Sequence, residues 1–174
     1  MNKSIKCKAA VLHDMGLPRP FSKSKPVKIE EIEVDPPGFG EVLIKVSAAG
    51  LCHSDLSVVN GNRPRAMPMV LGHEGSGVVA SLGEGVDDLE IGDHVVFVFV
   101  PSCGNCIPCK EGRPALCDPG LAAGGAGTLL SGEKRFRLNG DLINHQVGVS
   151  CFSEFTVVSS KSLVKVEKSL PLDE

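Results

Sequence analysis

Four cysteines, Cys103, Cys106, Cys109 and Cys117, fall in one short stretch, with two, two and seven residues between them. Four thiolates at about 2.3 Å enclose a zinc ion tetrahedrally and leave no position for water or substrate. A Cys-x2-Cys step lets neighbouring sulfurs share a metal through a tight turn, and seven further residues suffice to bring Cys117 back as the fourth ligand. So few apolar side chains lie between these cysteines that the ion takes the place of a core, and its binding energy becomes folding energy. Paired disulfides, unrelated thiols and an iron–sulfur cluster are the competing uses of the same residues. The spacing favours structural zinc.

A second constellation has the types that a reactive metal needs. A catalytic zinc takes three protein ligands and keeps one position open. Cys52 and His73 are suitable ligands, with a hydroxyl at Ser54 and carboxylates at Asp55 and Glu74 beside them. By type alone, the pair also describes a buried thiol and a core histidine.

The elements that must position these residues are short. Residues 27–34, 42–46, 94–100, 152–158 and 163–166 are β-branched runs bounded by glycine and proline turns, which predicts strands. The segment 72–79 carries Gly72, Gly75 and Gly77 and predicts a strand approached closely by other backbone. A single short helix is expected over 54–59, ended by Asn60 and Gly61. Residues 101–118 read as a loop held by its cysteines, and 119–148 give no regular pattern, with Gly124 to Gly127 read as loop. Many short strands and few helices predict a mainly β barrel or sandwich.

Composition narrows the partners. With 174 residues the chain can close one core, and a net charge of −3 without a basic block excludes a phosphate backbone as ligand. Nucleic acid is therefore not expected. The longest apolar run, residues 95–101, is too short to span a bilayer, and no apolar leader opens the chain. A cytoplasmic protein without membrane contact is the expectation, and in that compartment clustered thiols favour metal.

The segment Gly72-His73-Glu74-Gly75-Ser76-Gly77-Val78-Val79 resembles the GHExxGxV signature of the zinc-dependent alcohol dehydrogenases, within the medium-chain dehydrogenase/reductase superfamily. Gly50-x-Cys52-His53-Ser54-Asp55, the 21-position separation of Cys52 from His73, the four-cysteine lobe and the turn Gly92-Asp93-His94-Val95 fit the same family. The resemblance implies a GroES-like, partly open β-barrel over residues 1–174, with a zinc lobe at 101–118. It further implies oxidation of an alcohol, or reduction of an aldehyde or ketone, with NAD or NADP, zinc acting as a Lewis acid. Cys52 and His73 would hold the catalytic zinc, with Glu74 behind it, and Asp55 would fix the tautomer of His73. Ser54 would begin a proton relay, His53 would approach the cofactor pyrophosphate, and Phe99 would line the substrate pocket.

The pattern also departs from the family. Ser57 stands where several relatives place a relay histidine, and no cysteine follows His73 in the context of the family's third ligand. No GxGxxG opens a helix after a strand, so the dinucleotide-binding domain is expected to lie outside this chain. Two readings follow. One is the catalytic-domain portion of an alcohol dehydrogenase, inactive alone and belonging to a homodimer or homotetramer. The other is a stand-alone zinc-binding GroES-like module that serves interaction or scaffolding.

Overall fold

A computed structural model describes residues 3–173. Ten strands run as β1 (Ile5–Leu12), β2 (Val27–Val34), β3 (Glu41–Gly50), β4 (Met69–Val70), β5 (Glu74–Leu82), β6 (His94–Phe97), β7 (Phe136–Leu138), β8 (Asp141–His145), β9 (Phe155–Ser159) and β10 (Leu163–Val166). The helices are short: α1 (Phe21–Ser24), α2 (His53–Val59), α3 (Ile107–Lys110) and α4 (Asp118–Ala126).

β1 and β2 pair along their whole length, with Ile5 opposite Val34 and Leu12 opposite Val27. Alternation sends Cys7, Ala9 and Val11 of β1 inward, where they meet Ile32, Val34, Phe136 and Ile143. The ring β1-β2-β7-β8-β4 closes into a barrel, with only two residues of β4 joining β1 on one side and, in parallel, β8 on the other. The remaining strands form an open sheet in the order β10-β6-β5-β3-β9, with a second core of Val42, Ile44, Val79, Val95 and Val158. The expected mainly β, GroES-like barrel with few short helices is what is observed.

β3 does the positioning. Its pairing with β5 is interrupted by register shifts between Leu43 and Ile44 and between Val46 and Ala48, which bend the strand. Gly50 then lies opposite Glu74, so the chain leaves β3 into Cys52 at the point where His73 and Glu74 enter β5. The approach is close enough to require glycine. A Cβ on Gly77 would sit 2.5 Å from the carbonyl oxygen of Lys45, and one on Gly75 would sit 2.6 Å from that of Ala48.

Several elements differ from the sequence expectation. The run 94–100 is strand only to Phe97, because β10 ends its pairing there and Val98 turns to donate to the Ser162 carbonyl. The cysteine loop contains α3 and a 3-10 turn, Pro114–Leu116. Gly124 and its neighbours are helical rather than loop. Cys117 caps α4 by accepting from the Gly120 N–H, and Gly127 ends it at φ +73°. Glycine weakens a helix by itself, yet here it permits contact, since a Cβ on Gly120 would lie 2.2 Å from the Pro101 carbonyl oxygen. The irregular stretch 119–148 thus supplies α4 together with β7 and β8, without which the barrel does not close.

Candidate metal centres

In the cysteine lobe, all four Sγ atoms lie within 4.8 Å of one another. Thiolates at about 2.3 Å from one tetrahedral zinc stand about 3.8 Å apart, and Cys106 and Cys117 Sγ are 3.9 Å apart. All seven cysteines are free thiols. The donor set fits a single zinc ion; a disulfide would need sulfurs near 2.0 Å. Backbone amides curl inward as the spacing requires: Asn105 and Cys106 N–H donate to Cys103 Sγ at 3.4 Å, and Cys103 and Gly120 N–H to Cys117 Sγ at 3.2 and 3.4 Å. The Asn105 amide, followed by that of Cys106, draws the Cys103 thiol down to about 6, while desolvation and then Cys106 push Cys109 up to about 12. Crowded thiols cannot all ionise without a cation, and a dication among them removes that conflict.

The second centre is built from the loop after β3 and the start of β5. Cys52, His73 and Glu74 each offer a donor atom, all within 4.8 Å. Cys52 is the N-cap of α2: its sulfur accepts from the Ser54 N–H, and Asp55 accepts from the Cys52 N–H at 3.0 Å. The Ser54 amide lowers the thiol pKa of Cys52, which suits a thiolate ligand. His73 Nδ1 donates to Asp55 Oδ1 at 2.9 Å, leaving Nε2 free to ligate and 4.0 Å from Glu74 Oε1. The Asp55 hydrogen bond raises the pKa of His73. Burial pushes Asp55 up, but hydrogen bonds from His73, the Cys52 amide and Gln146 outweigh it and lower its pKa.

Ser54, Phe99, Cys52, His73 and Glu74 line one cleft of about 510 Å³. Phe99 is half-exposed and meets His73 edge-on, ring centroids 5.7 Å apart. His53 does not line that cleft. It opens α2 on the solvent side, where its carbonyl accepts from Ser57 Oγ at 3.0 Å.

Sequence reading missed Gln146, whose Nε2 donates to Asp55 Oδ1 at 2.8 Å while its Oε1 accepts from the Gly72 N–H at 2.5 Å. It clamps the acid to the histidine's strand from 91 positions away, and nothing local in the sequence marks it. Its neighbour Val147 lines the cleft at φ +45°, a strained conformation for a β-branched residue. Leu121 of α4, Arg63 and Arg65 complete the lining that sequence did not single out.

Comparison with known proteins agrees with this geometry. The alcohol dehydrogenase GroES-like domain family matches residues 38–168. The alcohol dehydrogenase class-3 of Drosophila melanogaster is 42% identical over 173 residues, 99% of this chain and 44% of its own length. The S-(hydroxymethyl)glutathione dehydrogenase of Synechocystis sp. is 42% identical over 163 residues, 93% of this chain and 42% of its own. A solved structure, the alcohol dehydrogenase zinc-binding domain protein from Burkholderia ambifaria, superposes with a TM-score of 0.87 at 34% identity, covering 98% of this chain and 44% of that one. The chain thus spans less than half the length of the relatives it matches. With two cysteine-containing donor clusters on a GroES-like barrel and a family match over most of its length, the chain belongs to the zinc-dependent alcohol dehydrogenases.

Proposed function

We propose that residues 1–174 form the GroES-like catalytic domain of an alcohol dehydrogenase that oxidises small alcohols, or reduces the corresponding aldehydes or ketones, with NAD or NADP. The observation that carries this reading is the cluster Cys52, His73 and Glu74, with His73 Nδ1 committed to the buried Asp55. Cys52 and His73 would hold a catalytic zinc, with Glu74 as the third donor at hand, and Cys103, Cys106, Cys109 and Cys117 a structural one. When bound, the catalytic ion supplies Lewis acidity toward the alcohol oxygen.

The chain's own residues do the rest. Asp55 keeps the proton on Nδ1 of His73 and so presents Nε2 unprotonated to the cleft. Ser54, in the same cleft, takes the substrate's hydroxyl proton and hands it toward solvent. Ser57, which stands where a relay histidine would carry the proton outward, has its hydroxyl hydrogen turned to the His53 carbonyl instead. Phe99, Leu121 and Val147 exclude water from the apolar part of the substrate. His53, exposed at the start of α2, is available to the pyrophosphate of a cofactor held by a dinucleotide-binding domain.

That domain would join this one in the complete enzyme, a homodimer or homotetramer in the cytoplasm, and the 174-residue stretch alone would turn over no alcohol. No helix among the described residues is long and apolar enough to cross a membrane.

The test is alcohol-dependent reduction of NAD or NADP by the complete protein that carries these residues. Cys52→Ser and His73→Ala should each cost about 10³-fold or more in kcat. Turnover that survives both substitutions would overturn the assignment.

A further inference from the structure

We infer that the cleft beside Cys52 and His73 takes an alcohol or aldehyde that also carries an anionic group, a carboxylate or phosphate, gripped by Arg63 and Arg65. The inference rests on the reading of that cleft as the substrate site.

The loop between α2 and β4 carries both arginines and is pinned at each end. Arg63 N–H donates to the Ser57 carbonyl at 3.1 Å, and the Pro68 carbonyl accepts from both the backbone and the side chain of Asn144 at 2.9 Å. Both side chains line the cleft of about 510 Å³ together with Ser54, Cys52 and His73.

The other arginines of the chain are satisfied. Arg135 pairs with Glu41 at 2.7 Å, Arg137 with Asp35 at 2.8 Å and Arg113 with Glu111, while Arg19 donates to Asn60 at 2.9 Å. Among the described residues Arg63 has one long contact, Nη1 to Ser54 Oγ at 3.5 Å, and Arg65 Nε is buried with no partner. The carboxylate in the same cleft, Glu74, faces His73 at 4.0 Å and forms no ion pair with either arginine. Arg63 is exposed and Arg65 half-buried, and the two line one cleft without a carboxylate partner among the described residues.

A guanidinium carries five N–H donors and no acceptor, and the cleft-lining Arg63 and Arg65 have no carboxylate partner among the described residues to take theirs, which calls for acceptor oxygens from a ligand. Carboxylates and phosphates match the fork of an arginine with two parallel hydrogen bonds. Phe99, Val100, Leu121 and Val147 provide an apolar wall for the hydrocarbon between anion and hydroxyl. The contact of Arg63 with Ser54 places the anion grip directly beside the proposed proton acceptor.

The experiment measures binding to the zinc-loaded protein by calorimetry with three probes: benzyl alcohol, 4-(hydroxymethyl)benzoate and 4-(hydroxymethyl)phenyl phosphate. At low salt at least one anionic probe should bind about tenfold or more tightly than the neutral alcohol, and whichever leads identifies the anion. That preference should shrink with added salt, fall to near one in the Arg63→Gln/Arg65→Gln variant, and be partly restored in Arg63→Lys/Arg65→Lys. Lobe zinc content verifies that each variant folds. Equal binding of all three probes, or a preference untouched by the glutamine variant, overturns the anion grip alone. Binding of none of them overturns the reading of the cleft as well.

Discussion

Asp55 Oδ1 stands 2.9 Å from Nδ1 of His73, and both side chains are only 7% exposed. The acid belongs to α2 and the base to the approach to β5, so one hydrogen bond fixes both the turn after β3 and the tautomer of a proposed ligand. Asp55→Asn replaces a charged acceptor with a neutral one and offers Nδ2 as a competing donor. Metal affinity at the Cys52–His73 centre should fall about 10- to 100-fold, with the cysteine lobe unaffected. Cobalt substitution followed by visible absorption distinguishes the two centres; unchanged affinity would remove Asp55 from the site.

The cysteine lobe has almost no apolar contacts of its own, and Ile107 and Leu116 point to solvent. Cys106→Ser should release the lobe's metal, lower Tm and make the segment 101–118 a preferred protease site. A strong chelator should reproduce the effect in the native protein. Limited proteolysis with mass mapping is the measurement, and a lobe that stays protected without metal would show that it folds by packing alone.

Gly77 tests the close crossing of β3 and β5. A methyl group there would meet both Ile44 Cγ2 and the Lys45 carbonyl at 2.5 Å. Gly77→Ala should destabilise by about 3 kcal/mol or more, the range of severe overpacking. Gly92→Ala meets no atom within 4 Å and is strained only by its φ of +88°, so it should cost about 1 kcal/mol. Urea denaturation compares the two directly.

His145 gives the fold an acid-sensitive element. It is fully buried, stacked on Phe136 at 4.3 Å, and accepts from the Arg135 N–H at 3.1 Å. Burial, then the nearby charges of Lys134 and Arg135, lower its pKa to about 3. The unfolded chain therefore takes up a proton near pH 6.5 that the folded chain refuses until about pH 3. Its contribution is complete above pH 6.5 and is lost as pH falls, by about 3 kcal/mol between pH 6.5 and 4. Asp93, held at about 2 chiefly by Lys165, loses its contribution only below about pH 4, so the two windows separate. His145→Gln should flatten the upper window relative to the native protein; parallel pH profiles would refute the assignment.

The spacing of Cys103 to Cys117 favoured a metal site without coordinates, because ligand chemistry depends on which atoms a side chain offers, whereas Cys52 and His73 pointed to metal only through the family resemblance. The glycines at 72, 75 and 77 likewise announced a close crossing, since their lack of a side chain matters only where backbones nearly touch. The strand runs marked most of the open sheet and β2, where alternation and branching are local properties. Gln146, the helix α4 and the arginine-lined wall were invisible, because each acquires its meaning from a partner distant in sequence. Gln146 becomes a clamp only when barrel closure brings it to Asp55, and the glycines of 118–126 become helical only where Pro101 and Val147 press against them. Sequence alone therefore determined which donor atoms are on offer and most of the strand-forming segments. Tertiary packing decided which donors converge, which face of each opens to the cleft and which charges are left unpaired there, since these are distances between chain segments and no local pattern encodes them.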